Sequence, residues 1–265
     1  GAFDFDNDGW PDVYLPRMDL PDRLMINQQG RGFIDHAEAA GLPLVSLTVV
    51  DALRSGIKLQ AGETVLIHAG SGGVGSIAIQ WAKHHGARVL TTCSGRNADF
   101  VKTLGADRVI DYTREAFDEV DEPVHAVVDA LGGETRRRSQ KLVGRGGRVS
   151  TLVASLPENV KKHGAYLGFA KTVFQLIGAK IGAAVSGVRL HNALRKANGE
   201  QLSEITALVE SGAIKPIVDR VFTLDEIAEA HLYQESSRAR GKIIIQITDL
   251  DEGTELEGPD PMERR

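Results

Sequence analysis

Between residues 64 and 85 an apolar run, a glycine-spaced loop and an amphipathic stretch follow one another directly. No other feature restricts the fold as much. Thr64 to Ala69 has the content of a buried strand, and Ile77, Ala78 and Trp81 recur at helical spacing after it, in a helix expected from about Val74 to His85. Between them stand Gly70, Ser71, Gly72, Gly73, Val74 and Gly75, the spacing G-x-G-x-x-G. In a strand-to-helix turn Gly70 permits the tight turn, Gly72 lets the backbone approach a pyrophosphate, and Gly75 allows close packing of helix on strand. The helix N-terminus then faces the anion. The loop predicts a dinucleotide site; a flexible loop is the bland alternative.

The same alternation continues downstream. Arg88 to Thr92, Arg108 to Ile110, Ala126 to Asp129 and Arg148 to Leu152 read as strands, with a helix over Asp99 to Leu104. Parallel strands joined by helices give an α/β fold with a doubly wound sheet. Gln201 to Ser211 and Leu224 to Ser236 read as helices, and Lys242 to Ile247 as a β-branched strand. Of the net charge of −5, residues 1–38 hold eight acidic and three basic side chains and residues 249–265 hold seven and two, which leaves the middle basic. That pattern excludes a uniformly basic nucleic-acid binder and suits a core that holds a polyphosphate. The single Cys93 closes no internal disulfide and builds no Cys-based zinc cage. The sequence shows neither an 18-residue apolar run nor a basic-then-apolar leader, so a cytoplasmic protein with no membrane partner is expected.

The end of the second strand discriminates between dinucleotides, because an acid there would bind the ribose 2′-hydroxyl of NAD. Thr91, Thr92, Cys93, Ser94, Gly95, Arg96 and Asn97 contain none. Hydroxyls and one guanidinium stand where a carboxylate would repel a 2′-phosphate, so NADP(H) is expected over NAD(H). A lone Arg is usually solvated, so the missing acid carries more weight than Arg96.

Leu42 to Leu53 and Ala61 to Gly75 together resemble the medium-chain dehydrogenase/reductase superfamily, in its zinc-free quinone oxidoreductase-like branch. Leu104 to Tyr112, Val128 to Gly133, Pro216 to Phe222 and Arg240 to Ile247 agree with it. The resemblance implies that Ser94 and Arg96 contact the 2′-phosphate, that Tyr112 lies against that end, and that Asp129, Leu131 and Gly132 line the nicotinamide side. It implies hydride transfer from the nicotinamide C4 to a small-molecule substrate, a quinone, enone or carbonyl, without zinc. Members begin with a GroES-like catalytic domain, to which nothing here corresponds. Strand Lys242 to Ile247 would belong to that domain's neighbourhood and present an unpaired apolar edge, with a homodimer as the candidate assembly. No catalytic residue is assigned.

The first forty residues differ in kind. Asp4, Asp6, Asp8 and Asp12, with Gly9 at the turn and the Trp10 carbonyl, occupy calcium-loop positions. An EF-hand fails because Leu15 stands where Glu belongs and Pro11 opposes a following helix. The run resembles a single FG-GAP/VCBS-type repeat, and its alternative is an acidic turn without metal. Three zones are expected: a calcium-loop segment over 1–41, a nucleotide-binding domain over 42–247, and a disordered acidic tail over 248–265. A fusion of two unrelated families near Gly41 would account for them.

Other residues carry bland readings. His84 and His85 read as a surface pair at a helix end, Arg136 to Arg138 as a solvated face, and Tyr166 to Val185 as a basic amphipathic helix packed on its domain. Ser139 and Ser150 lack a nucleophile elbow. Two functions remain: an NADP(H)-dependent reductase, or a dinucleotide- or calcium-binding interaction module without turnover.

Overall fold

The computed structural model describes residues 2–3, 12–15, 23–25, 36–152, 156–193, 198–236 and 238–246. Strands β1 (Ala2–Phe3), β2 (Asp12–Leu15) and β3 (Arg23–Met25) form a small antiparallel sheet. The calcium set Asp4, Asp6, Asp8 and Trp10 lies outside the described residues, as do the Asp12 side chain and the acidic tail. Helix α1 (His36–Val50) runs unbroken across the 41/42 junction and continues into a wider π-helical turn over Asp51–Gly56.

The main body is built on β4 (Thr64–Ile67), α2 (Gly73–His84), β5 (Arg88–Cys93), α3 (Ala98–Thr103), β6 (Arg108–Asp111), β7 (Ala126–Asp129), α4 (Gly133–Val143) and β8 (Arg148–Thr151). Helices α5 (Leu156–His163) and α6 (Ala165–Val185) then lead to β9 (Arg189–Asn192). The six strands form one wholly parallel sheet in the order β6-β5-β4-β7-β8-β9. The chain winds outward from β4 to β6, returns to β7 beside β4, and winds the other way. The strand order reverses between β4 and β7, which opens a crevice at the carboxyl ends of those strands.

Alternate residues of each strand feed two apolar layers. Val65, Ile67, Val89, Ala126 and Val128 face α1 and α2, where Leu53, Ile57, Ile79 and Ala82 meet them. Leu66, Leu90, Ile110, Val127 and Val149 face the other side with Phe117 and Val188. Both faces are covered, so these strands read as continuous apolar runs. Each fully buried Leu, Ile or Val contributes about 1.5–3 kcal/mol.

Three features depart from the sequence reading. The sixth strand β9 and helix α4 carry too few apolar residues to announce themselves: α4 has only Leu142 and Val143 to offer the core, after an Arg-rich stretch. Strand β11 (Lys242–Gln246) is paired on one side, and among the described residues no strand pairs with its other edge. After α7 (Gly199–Glu210), β10 (Val218–Thr223) and α8 (Ile227–Glu235), it pairs parallel with β10 in a separate two-stranded sheet, Val221 opposite Ile244 and Phe222 opposite Ile245. Helix α6 forms where expected, but its apolar side is not packed on the domain. Tyr166 and Phe174 are 92% and 81% exposed, with Leu167, Phe169, Ile177, Ile181 and Val185 also open to solvent.

Candidate nucleotide-binding site

The loop after β4 lies at the mouth of the crevice, and its conformation follows from contacts beneath it. Gly70 donates its N–H to the Thr92 carbonyl (3.0 Å), and Gly72 donates to the Ala69 carbonyl (3.0 Å), closing the turn. The left-handed residue of this turn is Ala69 (φ 56°), not Gly70. Gly70 is required for a different reason: a Cβ there would collide with Thr91 Oγ1, whose hydroxyl donates to the Ile67 carbonyl (2.8 Å). A Cβ on Gly75 would run into the backbone of Ala69 and Gly70. Gly72 is unlike both, since its Cβ would meet only the Ala69 carbonyl, at 3.3 Å. The protein's own packing leaves space over Gly72, and no side chain caps the α2 N-terminus behind it. An opening of this kind above uncapped N–H groups fits the pyrophosphate of a dinucleotide.

The loop is held from two sides. Inside, His68 is buried with Nδ1 3.1 Å from Thr92 Oγ1 and Nε2 3.0 Å from Ser139 Oγ. The Ser139 hydroxyl donates to the Thr135 carbonyl (2.8 Å), so toward His68 its oxygen accepts and Nε2 carries the proton. Nδ1 then accepts from the Thr92 hydroxyl, whose oxygen accepts the Ala69 N–H (3.2 Å). This relay fixes the left-handed residue and ties the loop to α4. Burial pushes the His68 pKa down to about 4, so the ring is neutral. Outside, Ser71 accepts from Asn97 Nδ2 (3.0 Å) and its carbonyl accepts the Gly241 N–H (3.0 Å). Arg240 bridges the same region, donating from Nε to Asn97 Oδ1 (2.8 Å) and from Nη2 to the Arg96 carbonyl (3.2 Å).

The end of β5 turns through Ser94 into a 3₁₀ turn, Gly95–Asn97, which exposes Arg96. Among the described residues no carboxylate pairs with that guanidinium. Asp111, at the end of β6, reaches this turn with its carboxylate already engaged. It accepts the Thr113 N–H (3.0 Å) and hydroxyl (2.7 Å) and the Gly95 N–H, and these bonds hold its carboxyl below the usual range. Tyr112 donates its N–H to the Cys93 carbonyl (3.3 Å) and leaves a 64% exposed residue beside the turn. Cys93 is buried, and burial pushes its thiol pKa up, away from reactivity.

Across the switch point, Asp129 is fully buried and its oxygens are already engaged. Oδ1 accepts the N–H groups of Leu131 (3.1 Å) and Gly132 (2.8 Å), and Oδ2 accepts the Thr151 hydroxyl (2.9 Å). Its work is to shape the turn from β7 into α4 through Leu131 and Gly132. The structure thus gathers Gly70 to Gly75, Ser94, Arg96, Tyr112, Leu131 and Gly132 at one end of the sheet, with Asp129 beneath. Sequence reasoning missed His68, Asn97 and Arg240. Only the Arg240-Gly241-Lys242 run within the resemblance pointed toward the last of them. Among the described residues no three His, Cys, Asp or Glu side chains converge on a metal position.

Residues 104–245 match the zinc-binding dehydrogenase family. The mitochondrial NAD(P)H oxidoreductase RTN4IP1 of Mus musculus is 34% identical over 223 residues, covering 81% of this chain and 56% of its own length. The quinone oxidoreductase from Coxiella burnetii superposes with a TM-score of 0.68 at 33% identity, over 79% of this chain and 60% of that one. Mycobacterial Rv1454c, solved as a complex with NADPH, superposes with a TM-score of 0.63 at 26% identity, over 84% and 67%. The chain therefore spans a little over half the length of the mouse relative.

Proposed function

This chain belongs to the zinc-binding dehydrogenase family of medium-chain dehydrogenase/reductases, and on that premise we propose that it holds NADP(H) for the reduction of a quinone, enone or carbonyl compound. The observation that carries this reading is the open cradle above Gly72 at the uncapped N-terminus of α2. When bound, the nicotinamide supplies a hydride from its C4 to an electron-poor acceptor. The chain's own residues bind and orient. The N–H groups at the start of α2 receive the pyrophosphate, with Gly70, Ser71, Gly72, Gly73, Val74 and Gly75 as its cradle. Ser94 and the unpaired Arg96 receive the 2′-phosphate with Tyr112 beside it, and Arg240 holds their turn in place through Asn97 and the Arg96 carbonyl. Leu131 and Gly132, set by Asp129, face the nicotinamide end. The NADPH complex of the mycobacterial relative supports the choice of cofactor, and the oxidoreductase names of the mouse and Coxiella relatives support the reaction class.

The reaction proposed uses no zinc, since direct transfer to a conjugated acceptor asks chiefly for orientation at near-attack distance. The test is NADPH oxidation by the purified chain on adding a para-quinone, with Gly72→Asp beside the wild type. Oxidation by the wild type that the variant loses supports a reductase. Binding of NADPH with no oxidation assigns the chain to the second class, a dinucleotide-binding module without turnover.

A further inference from the structure

On the side of α4 turned away from the sheet, a half-open cleft of about 730 Å³ separates α4 from α6 and runs from Gly133 to Ser186, a volume in the range of small-molecule sites. Its two walls differ in chemistry. From α4 come Arg136, Arg137 and Lys141, on the face opposite Ser139 and Leu142, which point to the sheet. From α6 come Leu176, Gly178, Ala179 and Gly182, with the uncharged polar Thr172 and Gln175 beside them and Ser186 at the helix end. Among the described residues no acidic side chain lines the cleft. Arg137 pairs with Glu134 (2.7 Å), both exposed, and such a pair costs little to open. Arg136 and Gln140, both on the cleft wall, each keep a buried N–H with no acceptor among the described residues, Nε and Nε2 respectively. Buried donors are ordinarily satisfied, so these two call for acceptors that no described residue supplies. The surrounding field has the same sign: residues 159–193 contain four Lys and one Arg and no Asp or Glu. On the other wall a Cβ added at Gly178 or Gly182 meets nothing within 4 Å, so α6 leaves room for an apolar body there.

We propose that this cleft binds an amphiphile, with an anionic phosphate or carboxylate head on Arg136 and Lys141 and an apolar chain against the small-residue face of α6. The cationic wall selects the head, and the glycine and alanine wall admits the chain. The site lies on the side of α4 turned away from the sheet, and it does not depend on the oxidoreductase reading.

The test is calorimetry with monododecyl phosphate below its micelle concentration, with inorganic phosphate and phosphatidylglycerol vesicles as separate arms. Two variants probe the two walls: Arg136→Gln combined with Lys141→Gln, and Gly182→Leu, which fills the apolar half and favours the helix. Wild type is expected to bind one monododecyl phosphate at least tenfold more tightly than inorganic phosphate. Each variant is expected to lose at least tenfold while keeping its helical circular dichroism and its NADPH affinity. Vesicle binding lost in the same variants identifies a lipid headgroup as the source, whereas wild-type binding of the free amphiphile alone identifies a soluble one. Absence of amphiphile binding, equal affinity for inorganic phosphate, or equal binding by the variants overturns the proposal.

Discussion

His68 shows how one buried side chain links stability to the site. Its neutral ring is held between Thr92 and Ser139, and burial keeps its pKa near 4 against an ordinary 6.5. Above pH 6.5 neither the folded nor the unfolded chain protonates it. Between 6.5 and about 4 the unfolded chain binds the proton and the folded chain does not, so stability falls as pH falls, by up to about 3 kcal/mol from this group. Urea midpoints at pH 7.5 and pH 5 should differ in that direction, and His68→Gln should flatten the difference; an unchanged slope in the variant would assign it elsewhere. Arg96 makes the second prediction at this scale. A phosphate pairing with an exposed guanidinium is worth about 1.5–3 kcal/mol. Arg96→Glu should therefore weaken NADPH by at least tenfold and leave NADH nearly unchanged, as read by quenching titrations with both cofactors.

Among the elements, the turn from β7 into α4 depends on a single carboxylate. Asp129→Ala would strip the acceptor from the Leu131 and Gly132 N–H groups and from the Thr151 hydroxyl, all in a buried setting. The expected loss is about 2–4 kcal/mol in chemical denaturation, and Asp129→Asn should recover part of it by keeping one oxygen acceptor. A full-strength fold in Asp129→Ala would show that the turn is set by its glycines instead. The loop before α2 was legible in the sequence because each glycine answers a separate steric demand. Its supports were not: Thr92, Ser139, Asn97 and Arg240 act through contacts at sequence separations of 23 to 143, and no local spacing records such partners. Helix α4 was missed for a related reason. An Arg-rich stretch with two apolar residues reads as a solvated face, yet Arg138 lies over the Phe117 ring, 4.7 Å from its centroid, and bonds Asp118, and only Arg137 behaves as a surface cation.

For the molecule as a whole, the doubly wound sheet follows from the alternation of apolar runs and amphipathic stretches, and its strand order places the crevice where the glycine loop is. What composition could not show was the position of β11. Its isoleucines suited a central strand, and the structure gives it β10 as partner, with Gly241 bridged to Gly72 so that the small sheet steadies the loop. Of the basic residues in the middle of the chain, Arg96 and Arg240 stand at the crevice, Arg136, Arg137 and Lys141 line the cleft between α4 and α6, and Lys83, Arg88, Arg108 and Arg148 pair with acids elsewhere. No described helix is long and apolar enough to cross a membrane. The central claim is that this body is built around NADP(H), and a fluorescence titration of the purified chain with NADPH and NADH tests it most directly. Saturable binding, at least tenfold tighter for NADPH and abolished by Gly72→Asp, is the expected result; tighter binding of NADH, or none of either, would contradict it.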